Sequence, residues 1–284
     1  MSRPQASAKR AAGGHSVGVE AQLGPLSLVK EQATERADLD TALERIPEAE
    51  AFYDRQLKRL APYFKLEPPA TVLDVGAAQG VTLVALAKRG FQAVGVEPWA
   101  PAIEVSRDLA QATGVELNIK PGVAEAIPFE DGSVDFVNAY SVMEHVDDPD
   151  QVFREAYRVL RSPGAFFFTT TSALCPLQGE IAGFPLFPWY PPPVQRRIMT
   201  WATEKKPALV GNTTRPAIHW FKHRQVRSSL HAIGFDEVVD RWKLRKGERG
   251  GRRGQLIDAA ATNRGMRLLG DLAEGGMEYL AVKR

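Results

Sequence analysis

The chain has 284 residues, 44% of them hydrophobic and 25% charged, which suits one large α/β domain with a proper core. A formal charge of +2 lacks the basic excess of a dedicated nucleic-acid binder, so no nucleic-acid partner is expected. The single cysteine, Cys175, excludes an internal disulfide and a cysteine-built metal site, and no run approaches the roughly 18 apolar residues of a membrane span.

Residues 1–37 read as a flexible tail, small and polar, with no apolar run of a secretory signal. A cytoplasmic protein is therefore expected. Residues 38–69 read as a helical cap: Leu39, Leu43, Ile46, Ala49, Phe52, Tyr53, Leu57 and Leu60 recur at helical spacing, with Pro47 as the expected break. From Ala70 to Thr171 short apolar runs alternate with helical segments. Strands are expected at 71–75, 92–96, 115–119, 134–139 and 165–170, and helices at 81–89, 100–112 and 148–161. Residues 172–218 break the rhythm with a proline-aromatic cluster, Phe184 to Tyr190, and a short helix expected at 194–202. Residues 219–284 resume it, with a helix at 224–232, a strand at 235–242, a Gly/Arg-rich loop at 246–254 and a last strand at 277–282. The fold expected is doubly wound α/β: a mostly parallel, seven-stranded Rossmann-like sheet with helices on both faces and an insert after strand five.

The segment Val72-Leu73-Asp74-Val75-Gly76-Ala77-Ala78-Gln79-Gly80 is an apolar strand, a small-residue turn and a helix start. Such a turn brings a ligand against backbone N–H groups. The dinucleotide fingerprint needs Gly-x-Gly-x-x-Gly, whereas this chain offers Gly76, Ala78 and Val81. Glu97 ends the next strand, where a carboxylate can accept hydrogen bonds from both hydroxyls of a ribose.

The turn resembles the first motif of class I S-adenosylmethionine-dependent methyltransferases, Asp/Glu-x-Gly-x-Gly-x-Gly, with Ala78 in place of the middle glycine. Gly122-Val123-Ala124-Glu125-Ala126-Ile127-Pro128-Phe129, Asp131-Gly132-Ser133-Val134-Asp135 and Arg158-Val159-Leu160-Arg161-Ser162-Pro163-Gly164 are similar to stretches of that family's UbiE-like, small-molecule branch. The resemblance covers about 72–170 and returns weakly at 220–235. It implies S-adenosyl-L-methionine as cofactor, with Asp74 at its methionine end. Gly76, Ala77, Ala78 and Gly80 form the turn, Glu97 meets the ribose, and Pro98 and Trp99 pack on the adenine. The family often has aspartate where this chain has Val123, so adenine must rely on the backbone of Val123 and Ala124. Asn138 and Tyr140, at the end of strand four, complete the expected cofactor edge.

His145 and His219 are the catalytic candidates, because imidazole accepts a proton near neutral pH. His145 follows strand four, on the edge where such sheets bind ligands. The expected acceptor site is Tyr53, Phe184, Phe187, Trp189, Tyr190 and Trp220, with Phe184 to Tyr190 as a lid. The basic run Lys243, Arg245, Lys246, Arg249, Arg252 and Arg253 reads as a solvated hairpin, and Asp135 as structural. No carboxylate cluster marks a metal site, so none is expected. The activity expected is O-methylation of a small-molecule acceptor with an apolar or ring-shaped body. N- or C-methylation, a nucleic-acid methyltransferase and a non-catalytic cofactor-binding protein stay open as alternatives.

Overall fold

The computed structural model describes residues 38–211, 215–247 and 251–284. The tail expected at 1–37, and Arg249 of the basic run, lie outside them. In chain order the elements are α1 (Leu39–Leu60), β1 (Thr71–Val75), α2 (Val81–Ala87), β2 (Gln92–Glu97), α3 (Ala100–Thr113), β3 (Asn118–Pro121), β4 (Val134–Ala139), α4 (Pro149–Val159) and β5 (Leu160–Thr171). Then follow α5 (Pro192–Lys205), α6 (His223–Ile233), β6 (Glu237–Asp240), α7 (Arg241–Leu244), α8 (Gly251–Thr262), α9 (Arg264–Ala273) and β7 (Gly276–Lys283).

The seven strands form one sheet in the order β3-β2-β1-β4-β5-β7-β6. The pairs from β3 to β5 are parallel, and β7 runs antiparallel between β5 and β6. Each face is covered because adjacent strand residues point opposite ways. Val72, Phe136, Phe167 and Leu280 pack in a core with Phe52 of α1, Leu83 of α2 and Leu109 of α3. Leu73, Val137, Phe166 and Phe168 pack in a second core with Phe153 of α4 and Leu230 of α6. The order in which strands are laid down reverses between parallel β1 and β4, and that topological switch opens a crevice at the carboxyl ends of the strands.

Several expected boundaries are corrected. Pro47 lies inside α1 and does not break it. It sits on the exposed side, while Ala42, Ile46, Ala49, Phe52 and Tyr53 bury the opposite stripe. The third strand is Asn118–Pro121, set by pairing of Val94 with Asn118 and Glu97 with Pro121, so Val115 to Leu117 only lead into it. The strand expected at 235–242 stops at Asp240, whose carboxylate accepts from the Lys243 N–H at 3.3 Å and caps α7. The loop expected at 246–254 gives way to α8 from Gly251. The basic run is solvated at Lys243, Lys246 and Arg252, but helices α7 and α8 replace the hairpin and Arg245 pairs with buried Glu278, which also takes Arg59 and, at 3.7 Å, Arg241. Asp135 is structural, accepting from the Thr71 N–H at 2.7 Å and pairing with Arg161 at 2.9 Å.

The insert between β5 and α6 carries a small core of its own, Ile181, Phe187, Met199, Ala202 and Val210. Among the described residues, no helix is long and apolar enough to cross a membrane.

Candidate active site at the carboxyl edge of the sheet

The turn after β1 is bound to β2 by its own backbone: the N–H groups of Gly76 and Ala77 donate to Val96 O at 2.9 and 3.1 Å. Gly76, Ala78 and Gly80 all adopt positive φ, at 75°, 46° and 81°. At Gly76 a Cβ would stand 2.9 Å from Val142 Cγ2, so only glycine fits between this turn and the loop after β4. Ala78 takes the same left-handed region at a cost of roughly 1–2 kcal/mol. Its N–H is aimed at Glu97 Oε2, 2.8 Å away.

Glu97 is buried at the end of β2, and its other oxygen accepts from the Trp99 N–H at 2.9 Å. Burial pushes its pKa up, against the pull of the two backbone bonds. The two N–H groups fix the carboxylate at the edge of a cavity of about 240 Å³. Gly76, Ala78, Gln79, Val96, Glu97, Pro98, Trp99, Gly122, Ala124, Tyr140 and Val142 line it on the sheet side. His145, Val146 and Arg215 close it beyond β4.

Behind this surface lies a buried polar layer. Asn138 Nδ2 donates to Asp74 Oδ1 at 2.6 Å and to the Tyr53 hydroxyl at 3.1 Å. Burial, aided by nearby Glu97, pushes the Asp74 carboxyl up to about 7, although the Asn138 bond pulls it down. Asn138 Oδ1 and the Tyr140 hydroxyl are buried without a partner.

The structure sorts the expected site residues accordingly. Gly76, Ala78, Glu97, Pro98, Trp99, Ala124, Tyr140 and His145 line the cavity, whereas Asp74, Ala77, Gly80, Val123 and Asn138 stand behind or beside it. Gly80 instead packs α2 on the sheet, where a Cβ would meet Leu117 and Ile119 at 3.1 and 3.2 Å. None of the six expected acceptor residues lines the cavity. Tyr53 is committed to Asn138 in the layer beneath. Phe187 is fully buried in the insert's own core, with Tyr190 and Trp220 against it. Phe184 packs edge-on against Phe187, and Trp189 is 53% exposed, its indole N–H donating to Leu174 O at 3.1 Å. Apolar rings in this segment found each other before they found a cavity. His219 is also outside the lining; its Nε2 is buried without a partner.

Sequence reasoning missed Glu144 and Arg215. The insert's return segment clasps the loop after β4: the N–H groups of Ile218 and His219 donate to Glu144 O at 2.8 and 3.3 Å. Glu144 is buried, accepts from Thr170 Oγ1 at 3.0 Å, and is pushed up to about 8 by burial and by neighbouring Glu180. Burial lowers the pKa of His145, Glu180 opposes that shift, and the ring's Nδ1 has no partner. Arg215, from the insert, acts on both His145 and Glu97. The only signal for Glu144 was its place beside His145, and for Arg215 there was none.

These residues fit the sulfonium nucleoside expected from the sequence. A glycine turn admits close approach, a buried carboxylate meets a diol, and apolar side chains flank a base. Among the described residues, no group of three His, Cys, Asp or Glu could hold a metal ion.

Comparison with known proteins bears on the same region. A family model described as a methyltransferase domain matches residues 73–168. An uncharacterized methyltransferase of Mycobacterium sp. (strain KMS) is 37% identical over 119 residues, covering 40% of this chain and 43% of its own length. A ubiquinone biosynthesis O-methyltransferase of Pseudomonas entomophila (strain L48) is 33% identical over 100 residues, covering 35% of this chain and 43% of its own. The chain thus spans less than half the length of these relatives. Among solved structures, the YcgJ protein from Bacillus subtilis shares the fold at TM-score 0.51 and 19% identity, covering 81% of this chain and 99% of that one.

Proposed function

We propose that this chain, which carries a class I S-adenosylmethionine-dependent methyltransferase domain, transfers a methyl group to a hydroxyl oxygen of a small-molecule acceptor. The observation that carries the reading is that Glu97, the Gly76 turn and His145 line one cavity.

S-adenosylmethionine, when bound, supplies an already activated methyl group. The chain's work is then to bind, orient and exclude water. Glu97 accepts the ribose hydroxyls. Its oxygens keep lone pairs beyond those used by Ala78 and Trp99, and the charge strengthens each bond. Pro98, Trp99, Ala124 and Val146 pack on the base. Asp74 and Asn138 form a polar floor beneath the turn and hold it through the Asp74–Asn138–Tyr53 chain.

An alcohol must lose its proton as the new bond forms. His145 is suited to take it: it lines the cavity, and burial favours the neutral imidazole, the form that accepts a proton. Glu180 raises its affinity for the proton once transferred. Arg215 lines the same cavity and favours an acceptor bearing negative charge. The insert, 172–218, frames this acceptor side. Its Phe184 to Tyr190 segment supports the frame from behind.

The test is a pair of measurements. Calorimetry with S-adenosylmethionine and its demethylated product should show binding that NAD does not compete with. His145→Gln should retain that binding while transfer to hydroxyl acceptors falls by about a hundredfold or more, the scale of a lost general base. Undiminished turnover in His145→Gln would remove the base from the mechanism. Preferential transfer to amines would replace the oxygen acceptor.

A further inference from the structure

Most globular proteins scatter exposed apolar side chains singly. Here they concentrate. Of the nine large hydrophobic residues that stand exposed among the described residues, five belong to the insert: Leu177, Leu186, Trp189, Val194 and Trp201. Two are tryptophans, at 53% and 44% exposure, a residue type that gains from an environment apolar at one end and wet at the other.

Helix α5 gives the pattern a geometry. Gln195, Met199 and Ala202 face the insert's core. Val194, Trp201 and Lys205 stand exposed on one flank of the helix, with Ile198 between them turned partly into that core. The Trp201 ring meets the Phe184 ring edge-on at 6.4 Å, which ties the stripe to the aromatic segment. Pro191 and Pro192 lead directly from Trp189-Tyr190 into the helix, so both tryptophans sit on one rigid unit.

Charge separates this face from an ordinary protein-binding patch. Arg196, Arg197, Lys205 and Lys206 are exposed, and none forms an ion pair with a described residue. Glu204 is the only exposed acid among the insert's described residues. The chain as a whole is nearly balanced at +2, so this positive charge is local. Long cationic stems beside apolar side chains can lie along a hydrocarbon boundary while their heads reach anionic groups.

We propose that the insert is an interfacial anchor: α5 and the Leu186–Trp189 turn dock on the surface of a bilayer rich in anionic headgroups. Trp201, Val194, Trp189 and Leu186 enter the boundary, and Arg196, Arg197, Lys205 and Lys206 meet the headgroups. The insert also brings Arg215 to the cavity, so the anchor and the cavity are joined by one segment of chain. The anchor stands on surface residues alone and does not depend on which acceptor the cavity takes.

The experiment is flotation of the full chain with vesicles at about 0.1 M salt, where surface attraction acts over about 10 Å. One set is phosphatidylcholine alone; the other contains phosphatidylglycerol. The expected result is flotation with the anionic set only. Trp201→Ala should reduce partitioning by about fivefold, and the pair Arg196→Gln with Arg197→Gln by about tenfold or more. Both variants should keep the wild-type melting temperature and cofactor affinity. Tryptophan emission of the full chain should shift to the blue on adding anionic vesicles, and the shift should shrink in Trp201→Ala. No flotation with the anionic set overturns the proposal, as does flotation that neither variant weakens. A concentration-dependent dimer in light scattering that Trp201→Ala dissolves, with no flotation, assigns the face to a second copy of this chain instead.

Discussion

The edge formed by residues 72–146 and the insert 172–218 meet across one cavity, yet they are built on different principles. At the edge, side chains are few and backbone does the shaping: left-handed residues at 76, 78 and 80, and two N–H groups that fix one buried carboxylate. In the insert, packing of rings and aliphatic side chains around Phe187 makes a core, and the outer face stays apolar and basic. The first region is specified by a demand for close approach. The second is specified by what it must cover.

The strongest way to break the comparison is to give the turn a side chain. Gly76→Val places a branched Cβ at a left-handed position, within 2.9 Å of Val142. The turn must move, and binding of S-adenosylmethionine should weaken by about a hundredfold or more by calorimetry. Circular dichroism should show the sheet intact. Wild-type affinity would mean that the turn does not meet the cofactor.

Phe187→Ala probes the other region. Emptying the centre of the insert's core should cost about 3–5 kcal/mol locally. Because that core is separate, limited proteolysis should cut within 180–210 first, while cofactor affinity changes little. Simultaneous loss of cofactor binding would show the two regions to be one cooperative unit.

A smaller effect concerns their seam. Glu144 is pushed up to about 8 by burial and Glu180, from an ordinary carboxyl value of 4.5. A raised folded-state pKa means that the folded chain holds this proton more tightly than the unfolded one. Its contribution to stability is therefore full below about pH 4.5 and is lost as pH rises through about 8. Asp74, pushed up to about 7, adds a slope of the same sign. Glu144→Gln should flatten the decline of melting temperature between those values. An unchanged pH profile would mean that Glu144 is charged in the folded chain.

How far each region could be read from sequence follows from the same contrast. The β1 turn, Glu97 and the parallel strands were legible because left-handed turns demand small residues and buried parallel strands demand apolar runs. Pro47 misled because a proline on the exposed stripe leaves the buried stripe of α1 whole. β3 was shifted because partly buried residues on an edge strand carry little periodicity. Phe184 to Tyr190 read as a pocket wall because aromatic side chains suit pockets and cores alike, and composition does not separate them. Arg215 and Glu144 were invisible in role, since Arg215 lines the cavity and Glu144 gains its buried setting only where the insert meets the loop after β4.

The central claim is that the cavity beside Glu97 binds the S-adenosyl nucleoside, and Glu97→Ala tests it most directly. Calorimetry should show affinity for S-adenosylmethionine and for its demethylated product reduced by about 1.5–3 kcal/mol, the worth of hydrogen bonds to a charged group. The melting temperature should change little, since Glu97 bonds only to the turn and to Trp99. Equal affinity in Glu97→Ala and the wild-type chain would contradict the account and move the ribose, and with it the cofactor, away from this edge.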